Sequence, residues 1–125
     1  MAVLGLDLGE RRVGVAFNPF GLMVIELNTL EWTTAEGLVA DLGLLISEKN
    51  IDTVVFGRPR ADSSIERLVI MLADRLSNVS IVQLDETLTT KEAERQVAVD
   101  GKRGDTDAIA ARLILEQYLS ERLAE

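Results

Sequence analysis

Apolar and polar positions in the first thirty residues fall in three short runs, Val3 to Leu8, Val13 to Phe17 and Leu22 to Thr29, whose spacing predicts three strands. The turn-prone segments Gly9-Glu10-Arg11-Arg12 and Asn18-Pro19-Phe20-Gly21 join them. Connections this short imply antiparallel neighbours. From Thr33 the period changes. Thr33-Thr34-Ala35-Glu36 has the Thr-x-x-Glu form of a capping box, and Leu38, Leu42, Leu45 and Ile46 recur on one helical stripe that ends near Asn50. Asp52 to Phe56 is a compact β-branched run closed by Gly57-Arg58-Pro59. Ser63-Ser64-Ile65-Glu66 then caps a second helix carrying Ile65, Leu68, Leu72 and Leu76. Val79 to Leu84 reads as a fifth strand, and Thr89-Thr90-Lys91-Glu92 as a third capping box. Asp105 or Thr106 starts a long final helix through Leu119.

The order β-β-β-α-β-α-β-α-α predicts an α/β fold with one mixed five-stranded sheet, three antiparallel strands followed by two parallel ones, and helices on both faces. At 125 residues and 47% hydrophobic content the chain has the size of one domain, 1–125, closing a single core. In open sheets of this kind ligands bind beyond the carboxyl ends of the parallel strands. Leu84-Asp85-Glu86-Thr87 lies at such an end, and Asp7 is expected on the neighbouring central strand.

Asp7 is the anomaly of the first strand, because an ionised carboxylate in an apolar strand core is unfavourable by several kcal/mol unless a cation meets it. Asp85-Glu86 and Asp107 are the other acids that stand out. They converge with Asp7 on one point if the first and last parallel strands are adjacent. Two hard metal ions about 3.5–4 Å apart, held by three or four carboxylates, would activate water and stabilise the leaving oxygen of a phosphodiester. Asp85 and Asp107 fit equally well as an end-of-strand acid and as a helix-start acid favoured by the dipole, with Asp105 the better cap.

Composition narrows the chemistry further. The chain has no Cys and no His, which removes disulfides, thiol catalysis, thiolate zinc sites and the usual general base. Carboxylate-only sites favour hard cations, so Mg²⁺ or Mn²⁺ is the expected cofactor. A net charge of −8 argues against a nucleic-acid partner. Against this, Arg11, Arg12, Arg58, Arg60, Lys91, Lys102 and Arg103, seven of the thirteen basic residues, fall in loops or helix starts, and two divalent ions would offset four negative charges. These seven are the candidate nucleic-acid contacts, although Arg58 and Arg60 also read as solvated surface beside Pro59. Gly5, Gly9 and Gly14 permit close approach of the backbone to a phosphate, or mark a bulge or tight bend. Trp32 and Tyr118 read as packing residues rather than base-stacking platforms. Neither a run of transmembrane length nor a signal-peptide pattern is present, so no membrane association and a cytoplasmic location are expected.

Four segments resemble one family in order and spacing. They are Gly5-x-Asp7-x-Gly9-x-x-Arg12-x-Gly14-x-Ala16, Val55-Phe56-Gly57-Arg58-Pro59, Asp85-Glu86-Thr87-Leu88-Thr89-Thr90-Lys91-Glu92-Ala93-Glu94, and Asp107-Ala108-Ile109-Ala110-Ala111-Arg112-Leu113-Ile114-Leu115. Together they look like the YqgF/RuvX family over nearly the whole chain, whereas the first alone is shared with actin-like and Hsp70-like ATPases. The resemblance implies a ribonuclease H-like fold and a metal-dependent nuclease in which Asp7, Glu86 and Asp107 are the catalytic, metal-binding residues. It further implies maturation of the 5′ end of pre-16S ribosomal RNA, or alternatively resolution of Holliday junctions in branched DNA. The family's strand-end motif usually continues Asp-Glu-Arg, where this chain has Thr87. The stretch from Val97 to Asp107 is also shorter than the basic loop common there, keeping Lys102 and Arg103. Both departures weaken grip on substrate more than metal binding. They leave open a non-catalytic RNA-binding ribosome-assembly factor, while an actin-like ATPase is disfavoured because one domain cannot close around a nucleotide. The expected partner is RNA or branched DNA, and the expected state a monomer or homodimer.

Overall fold

The structure, a computed structural model, describes residues 2–57, 63–76, 78–84 and 106–124. Its elements run β1 (Ala2–Leu8), β2 (Arg12–Asn18), β3 (Ile25–Glu31), α1 (Ala35–Lys49), β4 (Ile51–Gly57), α2 (Ser63–Arg75), β5 (Ser80–Leu84) and α3 (Thr106–Ala124). The five strands form one sheet in the order β3-β2-β1-β4-β5. The pairs β1/β2 and β2/β3 are antiparallel, while β1/β4 and β4/β5 are parallel. The capping box at Thr89 and the helix expected after it lie outside the described residues.

Alternation along the strands divides the core into two layers. Leu4, Leu6, Val13, Val15, Val54 and Phe56 pack with Leu38 and Leu42 of α1 and with Leu68 and Leu72 of α2. On the opposite face Val3, Ala16, Val55 and Leu84 pack with Ala111, Ile114, Leu115 and Leu119 of α3. Full burial of each Leu or Phe contributes about 1.5–3 kcal/mol before entropic costs, so both layers are substantial. The near-continuous apolar runs of β1 and β4 follow from this covering of both faces.

Several strand ends shift by one residue and the final helix, expected through Leu119, runs to Ala124; two further differences have a visible cause. The third strand, expected from Leu22 to Thr29, runs Ile25–Glu31 instead. Asn18, only 2% exposed, donates from Nδ2 to the carbonyls of Phe20, Gly21 and Met23 at 3.3, 3.1 and 2.7 Å. One side chain thus gathers that segment into a loop, and Phe20, Leu22 and Met23 are left exposed. The cap of α1 is Thr34 rather than Thr33, its hydroxyl accepting from the Gly37 amide at 3.1 Å. The β2–β3 pairing continues to Trp32, whose amide donates to the Arg11 carbonyl at 2.9 Å, and so the chain enters the helix one residue later. Asn50 ends α1 in the left-handed conformation, with φ 53°, as the pattern expects.

Candidate active site

Asp7 stands near the carboxyl end of β1, where burial relaxes: residues 2–6 are buried and Asp7 and Leu8 are half-buried. The apolar spacing alone places this acid in the strand core; the structure places it at the rim. By alternation it shares the α3 face with Val3 and Gly5. Its antiparallel partner is Gly14, so the two residues sit side by side on that face.

Gly14 is also where α3 begins to touch the sheet. A Cβ at this position would overlap the Asp107 carbonyl outright, and one at Gly5 would stand 2.9 Å from Leu115 Cβ and 3.0 Å from the Ala111 carbonyl. Both glycines therefore admit the helix backbone onto the sheet, and that close approach is to α3 rather than to a phosphate. Gly9 has a different task, its amide donating to the Arg12 carbonyl at 3.0 Å to close the β1–β2 turn. The outcome is that Asp107, the acid in the first turn of α3, lies over Gly14 and next to Asp7. Acids in a first helical turn are also favoured by the backbone dipole, so the same position serves the helix.

Arg12 approaches from the side. It opens β2 on the α3 face, and its Nη2 lies 3.0 Å from Asp107 Oδ2, with 60% of the Arg12 side chain and 26% of the Asp107 side chain exposed. Asp107 Oδ2 is itself buried and, among the described residues, has no aligned hydrogen-bond donor. It is thus a carboxylate oxygen held by ionic contact with the Arg12 guanidinium. All the candidate donors are oxygens, the chemistry that hard divalent cations prefer. The residues present fit such an ion.

The remaining candidates divide by location. Arg11 is exposed on the β1–β2 turn, where it and Arg12 border a groove of about 440 Å³ completed by Glu31, Trp32 and Thr33. Asp85, Glu86, Arg58, Arg60, Lys91, Lys102 and Arg103 lie outside the described residues. Among the described residues no group of three acids gathers on one point. The expectation that the first and last parallel strands are adjacent is corrected by the sheet order, because β4 stands between β1 and β5. Leu6 pairs with Phe56, Phe56 with Gln83, and Gly57 with Leu84. The β5 end therefore lies level with Asp7 but two strands, roughly 9–10 Å, away.

Trp32 is half-buried, packs against the α1/α2-side core and donates from Nε1 to the Gly9 carbonyl at 3.0 Å. Tyr118, in α3, packs against the core layer on that face and accepts from Arg122 Nη1 at 3.0 Å. Glu31 was not singled out by sequence reasoning and Thr33 was read only as a helix cap, since a polar residue at a strand end or cap carries no signal of the groove it will border. Arg112, quoted only as part of a motif, reaches from α3 to Glu26 of β3 at 3.0 Å and ties the helix to the edge strand.

A family model described as RuvX, Holliday junction resolvase, matches residues 1–121. A Syntrophus aciditrophicus protein named "Putative pre-16S rRNA nuclease" is 36% identical, covering 95% of this chain and 88% of its own length. A Picosynechococcus protein of the same name is 34% identical over 98% of this chain and 94% of its own length. Among solved structures, Thermus thermophilus RuvC in complex with a Holliday junction superposes with a TM-score of 0.65 at 14% identity, covering 98% of this chain and 96% of that one. Fowlpox virus resolvase with Holliday junction DNA gives 0.65 at 11% identity over the full length of both chains. The fold is therefore ribonuclease H-like. No described helix is long and apolar enough to cross a membrane.

Proposed function

The chain belongs to the RuvX Holliday junction resolvase family, and from that premise we propose that it is a metal-dependent nuclease hydrolysing phosphodiesters of structured nucleic acid. Processing of pre-16S ribosomal RNA is the reading that the names of its relatives favour; we place it at the 5′ end, in the cytoplasm and on a single domain. The observation that carries it is the meeting of Asp7 and the Asp107 segment across Gly14. Two acids distant in sequence are thereby brought to the sheet rim where such folds place their chemistry.

In this reading Asp7 and Asp107 hold Mg²⁺ or Mn²⁺ directly, and Glu86 completes the set from beyond the end of β5. A pair of such ions, when bound, supplies an activated water and charge stabilisation for the leaving oxygen. The chain's own side chains do the positioning. Arg12 holds the Asp107 carboxylate and, together with Arg11 exposed on the same turn, meets backbone phosphate. Arg58, Arg60, Lys91, Lys102 and Arg103 extend the basic contact. The deciding experiment is a cleavage panel of pre-rRNA leader, single-stranded RNA and four-way DNA junction with Mg²⁺, Mn²⁺ or chelator. Metal-dependent cleavage of the leader that Asp7→Asn removes is the expected result, and chelator-resistant cleavage overturns it.

Junction resolution is the second reading, supported by the superposition on RuvC and fowlpox resolvase. It requires two symmetric cuts, hence a homodimer. Preferential, paired incision of the junction arm by a dimeric species would select it over rRNA processing.

A further inference from the structure

Beside the two acids, the groove of about 440 Å³ lined by Arg11, Arg12, Glu31, Trp32 and Thr33 has no part in holding a metal. We propose that it is a nucleotide subsite, in which one unpaired base of the substrate strand stacks on the Trp32 indole while Arg11 meets that nucleotide's phosphate. The inference rests on the nuclease reading and adds to it the place of a flanking nucleotide.

The groove has the volume of a small-molecule site, and its indole and turn backbone are held before any ligand arrives. Trp32 Nε1 donates to the Gly9 carbonyl at 3.0 Å, the Trp32 amide donates to the Arg11 carbonyl at 2.9 Å, and the Gly9 amide donates to the Arg12 carbonyl at 3.0 Å. These three bonds join the indole and the Arg11-Arg12 turn into one unit, so a ligand bound between them pays little to order its site. The single indole donor is spent on Gly9, which leaves the ring's π surface as its means of recognition. Stacking of that kind tolerates any base.

Charge orients the nucleotide. Arg12 and Glu31 are direct cross-strand partners in the β2/β3 pair, so their charges offset, and Arg11, exposed on the turn, is the cation that draws the phosphate. The base therefore points to Trp32, where the Glu31 carboxylate accepts from exocyclic amino groups and the Thr33 hydroxyl donates or accepts. Arg12 both lines the groove and contacts Asp107, which places the subsite immediately beside the acids.

Trp32 is the chain's one tryptophan, so its fluorescence reports on the groove alone. The metal-free protein is titrated in chelator with a single-stranded RNA decamer, the matching DNA decamer and a blunt duplex. Saturable quenching by the single strands, with little from the duplex, is expected. A larger response to RNA adds a 2′-hydroxyl contact to stacking, and equal responses assign stacking alone; both support the subsite. By anisotropy of a labelled RNA decamer, Trp32→Leu and Arg11→Ala should each weaken binding about tenfold, and Trp32→Phe, which keeps a ring, less than about threefold. Circular dichroism establishes that each variant is folded; should Trp32→Leu unfold, Arg11→Ala and the wild-type quenching decide. Oligonucleotide binding without quenching, absence of binding, or wild-type affinity in folded Trp32→Leu overturns the subsite. Quenching in a protein that cuts nothing leaves the subsite standing and removes the nuclease reading, whereas cleavage without quenching does the reverse.

Discussion

The Arg12 guanidinium and the Asp107 carboxylate meet at 3.0 Å, joining the first residue of β2 to the first turn of α3 at the rim where Asp7 also stands. With 60% of the Arg12 side chain exposed, solvent screening holds the pair's contribution to stability below about 1 kcal/mol. Arg12→Ala should therefore leave the urea midpoint nearly unchanged. Its effect should appear in nucleic-acid affinity and in a salt dependence shallower by about one unit of slope, the signature of a lost phosphate contact. A stability loss above about 2 kcal/mol in urea denaturation would show instead that the pair is structural.

Asp7→Asn tests the acid at the other side of Gly14. The amide matches the carboxylate in shape but carries no charge, so a metal ligand would be lost with little change in packing. Cleavage should fall at least about a hundredfold, with Tm shifted by no more than a few degrees. Asp107→Asn should behave alike. A variant of either kind that cuts at the wild-type rate would remove that residue from the site.

Gly14 and Gly43 offer a matched contrast. At Gly14 an added methyl would overlap the Asp107 carbonyl, whereas at Gly43, inside α1, it would meet nothing within 4 Å. Gly14→Ala should cost about 1–3 kcal/mol through forced displacement of the helix start, lowering Tm by roughly 5–10 °C. Gly43→Ala should stabilise by about 0.5–1 kcal/mol through helix propensity and a less flexible unfolded chain. Thermal melts of the two variants should move in opposite directions; equal shifts would contradict the close approach of α3 to β2.

The strand and helix order of the described residues was legible because nearly every element carries a clean period: two in the hairpin strands, 3.6 in α1 and α2, and continuous apolar runs in doubly covered β1 and β4. What the spacing did not carry was lateral order. Nothing local distinguishes a β5 beside β1 from a β5 beyond β4, and only the pairing of Leu6 with Phe56 and Phe56 with Gln83 settles it. Asp7 was visible as an acid in an apolar run, but its rim position depends on where α3 stops covering the sheet. The β3 boundary was missed because Leu22, Met23 and Val24 look like strand residues, while the Asn18 amide that holds their loop acts at the level of individual carbonyls. Family resemblance contributed the grouping of Asp7, Glu86 and Asp107, which neither composition nor periodicity supplies.

The displaced cap of α1 gives a last test. Two adjacent threonines precede the helix, and the capping-box pattern selects Thr33 because Glu36 stands three residues on. Thr34 instead accepts the Gly37 amide, and with glycine at the third helical position no side chain can return the bond. Thr34→Ala should thus cost about 1 kcal/mol, a typical cap loss. Thr33→Ala, at an exposed position that lines the groove, should fall within about 0.5 kcal/mol of wild type. Urea unfolding of the two variants checks the assignment directly. A larger loss at Thr33 would return the cap to that residue, and with it the reciprocal bond from Glu36 that the sequence pattern expects.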